Sequence, residues 1–422
     1  MTAESAARPQ PLTGIKVVAF TQFLAGPACA QYLADMGASV VKIEHPDGAF
    51  ERRWSGAEVF PSGTGGLFLL GNRGCRSVAI DLKHPEGLRI ARRFLTAADV
   101  LIENFRPGVM ERLGLGYDAV HDLNPALVYA SISGFGPTQV GVPGQDLLIQ
   151  ARSGMMAITG RQGDPPVPAG APVVDVHTAS LTAVGILGAL FQRQRTGRGQ
   201  HVGVSMVEAG MDLQMEPLFY HMNGGALERP RSPVGSSFHD APYGVYQTRD
   251  GYIALSIVPL DALERVLQLP PGTLSPAGER PSFAQRDDIA LRLVGELVRY
   301  DTQDLLDRFS RQDIWAAAVN DYEAALADQA IGDAIQLIEL TPLASGGQPT
   351  RAIGHPIRYD GAHPDVAVTP PRLGEHTAQL LGELGLSRQE IDKLRDDGVI
   401  RMASETDGDS RGRRKGASWE RR

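Results

Sequence analysis

The feature that most constrains this chain is the alternation of short, apolar, β-branched runs with helical stretches through its first half. Ile15 to Phe20 reads as a buried strand. After a Gly26-Pro27 break, a small-residue helix runs from Ala28 to Met36 and stops at Gly37, glycine being the usual residue past a helix end because it tolerates positive φ. Ser39 to Ile43 is the next strand. Strand, helix and strand joined by short links favour a parallel sheet. The unit then repeats. Val78 to Leu82 reads as a strand, and Pro85 opens a helix, since the first turn does not need its N–H. Leu88, Ala91, Leu95 and Ala98 fall on one helical face. Val100 to Ile102 and Leu127 to Ile132 are further strands. The expected fold class is α/β, with a Rossmann-like large domain.

The pattern changes after about Gly225. Tyr243–Gln247 and Tyr252–Ile257 flank Asp250-Gly251, a hairpin signal because the turn needs positive φ. Helical stretches follow at Asp261–Leu267, Asp287–Val298 and Thr302–Phe309, which together read as a smaller α+β domain. Ser387 and Glu390 form a capping-box pattern ahead of Ile391 and Leu394. The expected organisation is a large domain over 11–224, a small domain over 225–330, a return to the large domain over 331–402 and a disordered tail over 403–422. The first ten residues read as a loose arm. Arg411, Arg413, Arg414 and Lys415 lie in the tail and read as solvated charges.

At 422 residues the natural expectation is two domains. A formal net charge of -8 argues against a nucleic-acid binder, but a local group of arginines can still hold a small anion. Only Cys29 and Cys75 are present, with no C-x-x-C spacing, so neither a disulfide scaffold nor a metal site is expected. The N-terminal MTAESAARPQP has no apolar core of a signal peptide. Ala183 to Phe191 is too short an apolar run to span a bilayer. The chain therefore reads as soluble and cytoplasmic, with no membrane partner.

Several familiar chemistries are missing. The first strand–helix turn, Phe20-Thr21-Gln22-Phe23-Leu24-Ala25-Gly26-Pro27, lacks the G-x-G-x-x-G that lets backbone approach a pyrophosphate. A nucleotide redox cofactor is thus not expected. P-loop and G-x-S-x-G patterns are absent too. What remains is Asp175, at the end of a rigid Pro165–Pro172 approach and the start of a helix rich in small residues. Taken alone, such an aspartate reads first as an N-cap.

Other stretches change that reading. They are Ala25-Gly26-Pro27, Asp35 to Glu44, Asn72-Arg73-Gly74, Ile80 to Lys83, Glu103 to Gly108, Ser131 to Gly136, Val174-Asp175, Gly185 to Leu190, Thr196 to Gln200 and Gly374 to Thr377. In this order they resemble the class III CoA-transferases, the formyl-CoA transferase or CaiB/BaiF family, along all but the two tails. The resemblance implies that Asp175 is a nucleophile. It attacks an acyl-CoA, passes through a mixed anhydride and an aspartyl-CoA thioester, and delivers coenzyme A to a second acid. It implies coenzyme A as substrate, with contacts from Phe23, Ala25, Asn104, Phe105 and Arg112. It also implies a homodimer of two interlocked, ring-like subunits, for which the long connections Gly199–Pro242 and Asp321–Leu373 offer the reach.

This chain departs from the family in places. Relatives often carry Arg at His45 and Lys or Arg at Cys75, so phosphate contacts are expected at His45, Arg73 and Arg76. Formyl-CoA enzymes carry Gln at Leu24 and a glycine-rich lid, which is not found between Gly225 and Ala330. Phe23, Leu24 and Met155-Met156 point to a more apolar acyl group. Two alternatives stand beside the transferase. An α-methylacyl-CoA racemase shares the fold, but its His before Asp is replaced here by Gln145-Asp146, and glutamine cannot accept the α-proton. His177 would share a face with Asp175 only in a strand-like segment. A non-catalytic acyl-CoA-binding protein would be expected to lose Asp175.

Overall fold

The structure is a computed structural model and describes residues 10–274, 283–343 and 349–403. Residues 1–9 of the expected arm and 404–422 of the expected tail lie outside the described residues. The chain divides into two compact units. The first takes the described residues up to 146, then 173–209, then those from 333 onward. The second takes 147–172 and the described part of 210–332. The second unit thus begins earlier than 225 and draws in a loop from within the expected large domain.

The first unit is built on a seven-stranded sheet. Its strands are β1 (Lys16–Phe20), β2 (Ser39–Glu44), β3 (Cys75–Ile80), β4 (Val100–Glu103), β5 (Val128–Ser133) and β6 (His201–Ser205), with Ile400–Arg401 on one edge. The spatial order is Ile400–Arg401, β3, β2, β1, β4, β5, β6. All neighbours are parallel except the antiparallel pair of Ile400–Arg401 with β3. That order, whose progression across the sheet reverses between β1 and β4 while the strands stay parallel, belongs to doubly wound α/β folds.

Period-two alternation supplies both faces of the sheet. Val18, Phe20, Val41, Ile43, Val78 and Ile80 pack with Ile90, Ala91, Phe94 and Leu95 of α2 (Pro85–Thr96). Val17, Ala19, Val40 and Ile102 pack with Cys29, Ala30 and Leu33 of α1 (Ala25–Asp35) and with Ala179, Ala183, Ile186 and Ala189 of α3 (Val173–Thr196). Both cysteines are free and buried in this unit. The strand-and-helix reading of the first half is recovered, but α1 starts at Ala25 rather than Ala28 and β3 starts at Cys75 rather than Val78. By length and composition α3 is apolar enough to cross a membrane, and it is longer than the run anticipated from sequence. Its buried face is nonetheless core, packed along α1 and the sheet.

The second unit holds an antiparallel sheet of Gly244–Gln247, Tyr252–Leu255 and Ala316–Ala318. The Asp250-Gly251 turn is fastened by Asp250, whose Oδ1 accepts from the Thr302 N–H and hydroxyl at 2.8 Å each. Helices Leu260–Val266, Arg286–Leu297 and Thr302–Ser310 cover the sheet, around Tyr246, Ile253, Leu263, Leu293, Leu305 and Phe309. The supposed long connections carry structure of their own. Gly199–Pro242 contains β6 and helices Met206–Asp212 and Met215–Met222. Asp321–Leu373 contains two short helices and the antiparallel pair Leu337–Leu340 with Thr350–Ile353.

Candidate active site

In an open α/β sheet, ligands bind outside the carboxyl ends of the strands, at the point where strand order reverses. Here that point lies between β1 and β4, and Asn104 closes it. Its Oδ1 accepts from the Gln22 N–H at 2.9 Å, and its Nδ2 donates to the Gln22 carbonyl at 2.8 Å. Both backbone groups of Gln22 are satisfied, so the turn after β1 is tied to the turn after β4. α1 then approaches so closely that a Cβ on Gly26 would lie 2.9 Å from Asn104 Cγ and from Thr21 Cβ.

Phe23 is exposed at this turn with φ +60°, a conformation costly for a non-glycine residue and typical of functional turns. Its ring centroid lies 5.6 Å from that of Phe50, which in turn stacks at 6.1 Å on Trp54. The three rings form a row leading from the turn into the loop after β2. Leu24 and Ala25 are buried instead, so Leu24 presents little side chain to a ligand. Phe105 is half-buried against the sheet core, and its N–H donates to Glu103 Oε2 at 3.0 Å. Burial raises the Glu103 carboxyl to about 7, against the hydrogen bonds from Ser131 and from the Phe105 amide.

The expected cations separate to opposite edges of the sheet. His45 follows the carboxyl end of β2 and is exposed, its Nδ1 accepting from the Asp47 N–H at 3.1 Å. Arg112 is exposed at the end of helix Val109–Arg112, beyond β4. Arg73 and Arg76, by contrast, stand at the amino end of β3. Arg73 is buried and pairs bidentately with Asp35, at 3.2 and 2.6 Å. Arg76 donates to Ser39 Oγ at 2.7 Å, and Cys75 is buried beside them. Strand register, which local motifs do not carry, sets this division. The carboxyl edge offers a residue the sequence reading passed over: Lys83, exposed just beyond β3, its N–H held by Asp81 Oδ1 at 2.8 Å.

Asp175 sits in the first turn of α3. The last turn of α3 leads into the amino end of β6, so its first turn stands at the carboxyl edge of the sheet. Asp175 is not the cap of its helix. That place is taken by Asp146, whose Oδ1 accepts from the N–H groups of Val174 at 2.8 Å and Asp175 at 3.1 Å. Burial first, and the Asp146 charge second, raise the Asp175 carboxyl to about 7. A carboxylate of raised pKa is a stronger nucleophile than an ordinary one. His177 lies two residues on in a helix, about 200° around it, so it does not share the face of Asp175.

The likeness to known proteins agrees with this site. Residues 12–377 match CoA-transferase family III. The succinate–glutarate CoA-transferase of Agrobacterium fabrum is 33% identical over 396 residues, covering 89% of this chain and 96% of that protein. The succinyl-CoA:mesaconate CoA-transferase of Haloarcula hispanica is 34% identical over 396 residues, with the same coverage of 89% and 96%. The crystal structure of a CaiB/BaiF family protein from Brucella suis superposes with a TM-score of 0.77 at 28% identity, covering 89% of this chain and 100% of that one. A doubly wound sheet with a half-buried aspartate at its carboxyl edge is thus the frame of an enzyme that moves coenzyme A between acids, and the chain belongs to CoA-transferase family III.

Proposed function

We propose that Asp175 is the covalent nucleophile of this transferase; the observation that carries the reading is its place in the first turn of α3 at the carboxyl edge of the sheet, where Asp146 and not Asp175 caps the helix. The Asp175 carboxylate attacks the thioester carbonyl of the donor acyl-CoA. The C–S bond breaks, leaving a mixed anhydride and the CoA thiolate. The thiolate attacks the aspartyl carbonyl and releases the donor acid, giving an aspartyl-CoA thioester. The acceptor carboxylate displaces the thiolate to form a second anhydride, and the thiolate attacks its acyl carbonyl to release the new acyl-CoA and free Asp175. Each step preserves the thioester's free energy provided water is excluded.

Coenzyme A is proposed to lie along the carboxyl edge of the sheet, with Phe23, Ala25, Asn104 and Phe105 on its path. Its phosphates are assigned to His45, Lys83 and Arg112, not to Arg73 and Arg76, whose guanidiniums are engaged at the other edge. Guanidinium suits phosphate through paired donors. The row Phe23–Phe50–Trp54 favours an acyl partner with an apolar face. The relatives named for succinate, glutarate and mesaconate favour a short dicarboxylic acid on the other side of the exchange. The test is incubation with a panel of acyl-CoAs and free acids, followed by hydroxylamine and peptide mass spectrometry. A hydroxamate on Asp175, and loss of transfer in Asp175→Ala, are expected. Full transfer activity in Asp175→Ala would refute the mechanism.

A further inference from the structure

Nothing in the reaction sequence above uses Asp146, yet its carboxylate accepts from the N–H groups of the helix turn that carries Asp175. One carboxylate oxygen accepts from two consecutive N–H groups, those of Val174 and of Asp175 itself. The second of these fixes the backbone of Asp175 directly. The two residues are 29 apart in sequence, so this is a tertiary cap reaching from the segment after β5, not a local turn. That segment is itself pinned. A Cβ on Gly144 would lie 2.4 Å from the Gly134 Cα, and one on Gly134 would lie 2.7 Å from the Gly144 Cα. Two backbones touch there without side chains, two residues ahead of Asp146. Gly134 is held in turn by its carbonyl, which accepts from the Val207 N–H at 3.0 Å. A chain of rigid contacts therefore runs from the end of β5, through the glycine pair and Asp146, to the nucleophile.

From this geometry we propose that Asp146 is a positioning residue for Asp175: its carboxylate caps α3 from the neighbouring segment and holds the attacking carboxylate in register with the carboxyl edge of the sheet. The inference rests on Asp175 being the nucleophile. Asp146 and Asp175 are both half-buried. An anion accepting two N–H bonds at a helix start is favoured by the helix dipole and by charge-assisted hydrogen bonding. Its negative charge also faces Asp175, whose carboxyl it raises further. Capping needs only an oxygen acceptor, whereas the effect on ionisation needs the charge, so two substitutions separate them. Asp146→Asn keeps the acceptor and removes the charge. Asp146→Ala removes both.

The full-length protein is used throughout, with three readouts. The first is hydrogen exchange of the peptide spanning 173–180. The second is the pH dependence of Asp175 modification by a water-soluble carbodiimide, which attacks protonated carboxyls and needs no substrate. The third is kcat and KM with whichever acyl-CoA the wild type turns over. Asp146→Ala is expected to speed exchange at the first turn of α3, and to lower kcat by about 100-fold with KM for acyl-CoA changed less than about threefold, as a misplaced reacting group does. Asp146→Asn is expected to restore exchange to the wild-type rate and kcat to within about tenfold, while the carbodiimide midpoint of Asp175 moves to lower pH. Unchanged exchange and kcat in Asp146→Ala would overturn the proposal, as would an Asn variant no better than the Ala variant in both. If the Ala variant does not fold, the Asn variant decides: exchange over 173–180 faster than wild type, or kcat more than about tenfold below it, overturns the proposal. A wild type that forms no hydroxamate at Asp175 with any acyl-CoA refutes the nucleophile instead, and is distinguishable because the exchange and carbodiimide results stand without substrate.

Discussion

A carboxylate ionises near pH 4 when water surrounds it; Asp175 keeps its proton up to about 7 because burial, and then the Asp146 charge, penalise the anion. The folded state therefore binds this proton more tightly than the unfolded chain does. Below the unfolded pKa both states are protonated, and the group costs nothing. As pH rises from about 4 through about 7, the unfolded chain releases its proton first, and stability falls. At pH 8 the folded enzyme carries a penalised anion. Asp175→Asn removes it without changing the shape of the side chain. The expected outcome is abolished transfer together with a gain of about 1–3 kcal/mol at pH 8 and none at pH 4. Urea unfolding at the two pH values checks it; an equal effect at both would show that the carboxyl is not strained by its surroundings. Glu44 behaves in the opposite way. Burial alone would raise it, but Arg52, Lys42 and the Ser77 hydroxyl outweigh burial and lower it to about 2. Its contribution is present above the ordinary glutamate pKa and is lost as pH falls from about 4.5 towards 2. An acid-unfolding transition that is shallower in Glu44→Gln is the corresponding expectation, read by circular dichroism between pH 5 and pH 2.

Between the elements, the turns after β1, β4 and β5 decide the site, and each depends on one small or amide residue. Asn104→Ala leaves the Gln22 N–H and carbonyl without their partner. The expected cost is about 1–3 kcal/mol in stability, with a raised KM for acyl-CoA because the turn bearing Phe23 and Ala25 loosens. Steady-state kinetics beside a urea melt separate the two. Gly144→Ala drives a methyl into the Gly134 backbone. It is expected to lower kcat together with stability, by about 10-fold or more, because Asp146 moves with it. These dependencies explain which parts of the site were legible in the sequence. Period-two and helical patterns marked β1, β2, β4, β5 and the Asp250-Gly251 hairpin, because those patterns record which face is buried. The capping box at Ser387 and Glu390 was legible for the same local reason, and both of its bonds are present. Asp146 was visible only as the neighbour of Gln145, since its capping partners lie far along the chain. Arg73 and Arg76 stand at the amino end of β3, a placement that was not legible because a motif does not state which end of a strand it occupies. β6 was passed over because His201-Val202-Gly203-Val204-Ser205 alternates but holds only two large apolar residues, Val202 and Val204, too few to mark a buried strand.

Taken whole, the described residues carry two exposed apolar stripes. On α3, Val176, Val184 and Phe191 are 41%, 65% and 57% exposed, and their spacing of eight and seven residues places them on one face. In the second unit, Met215, Phe219 and Met222 of helix Met215–Met222 are 65%, 61% and 72% exposed, again at helical spacing. Scattered surface apolar residues need no explanation, but stripes of this kind mark surfaces that are covered in the working assembly. We propose that the cover is a second copy of this chain, interlocked with the first as the family resemblance implies. Interlocking has a thermodynamic signature that a simple docked pair lacks. Subunits that thread through one another cannot separate while folded, so dilution alone leaves the dimer intact and dissociation occurs only with unfolding. Each tenfold rise in protein concentration then stabilises the folded dimer by about 1.4 kcal/mol, and the urea midpoint climbs with it. Light scattering should give twice the 45.3 kDa chain mass at every dilution. A charge placed in the stripe, Val184→Glu, should lower the urea midpoint while what remains folded still scatters as a dimer. A folded 45.3 kDa species at low concentration, with a midpoint independent of protein concentration, would mean that these faces are covered by something other than a threaded twin.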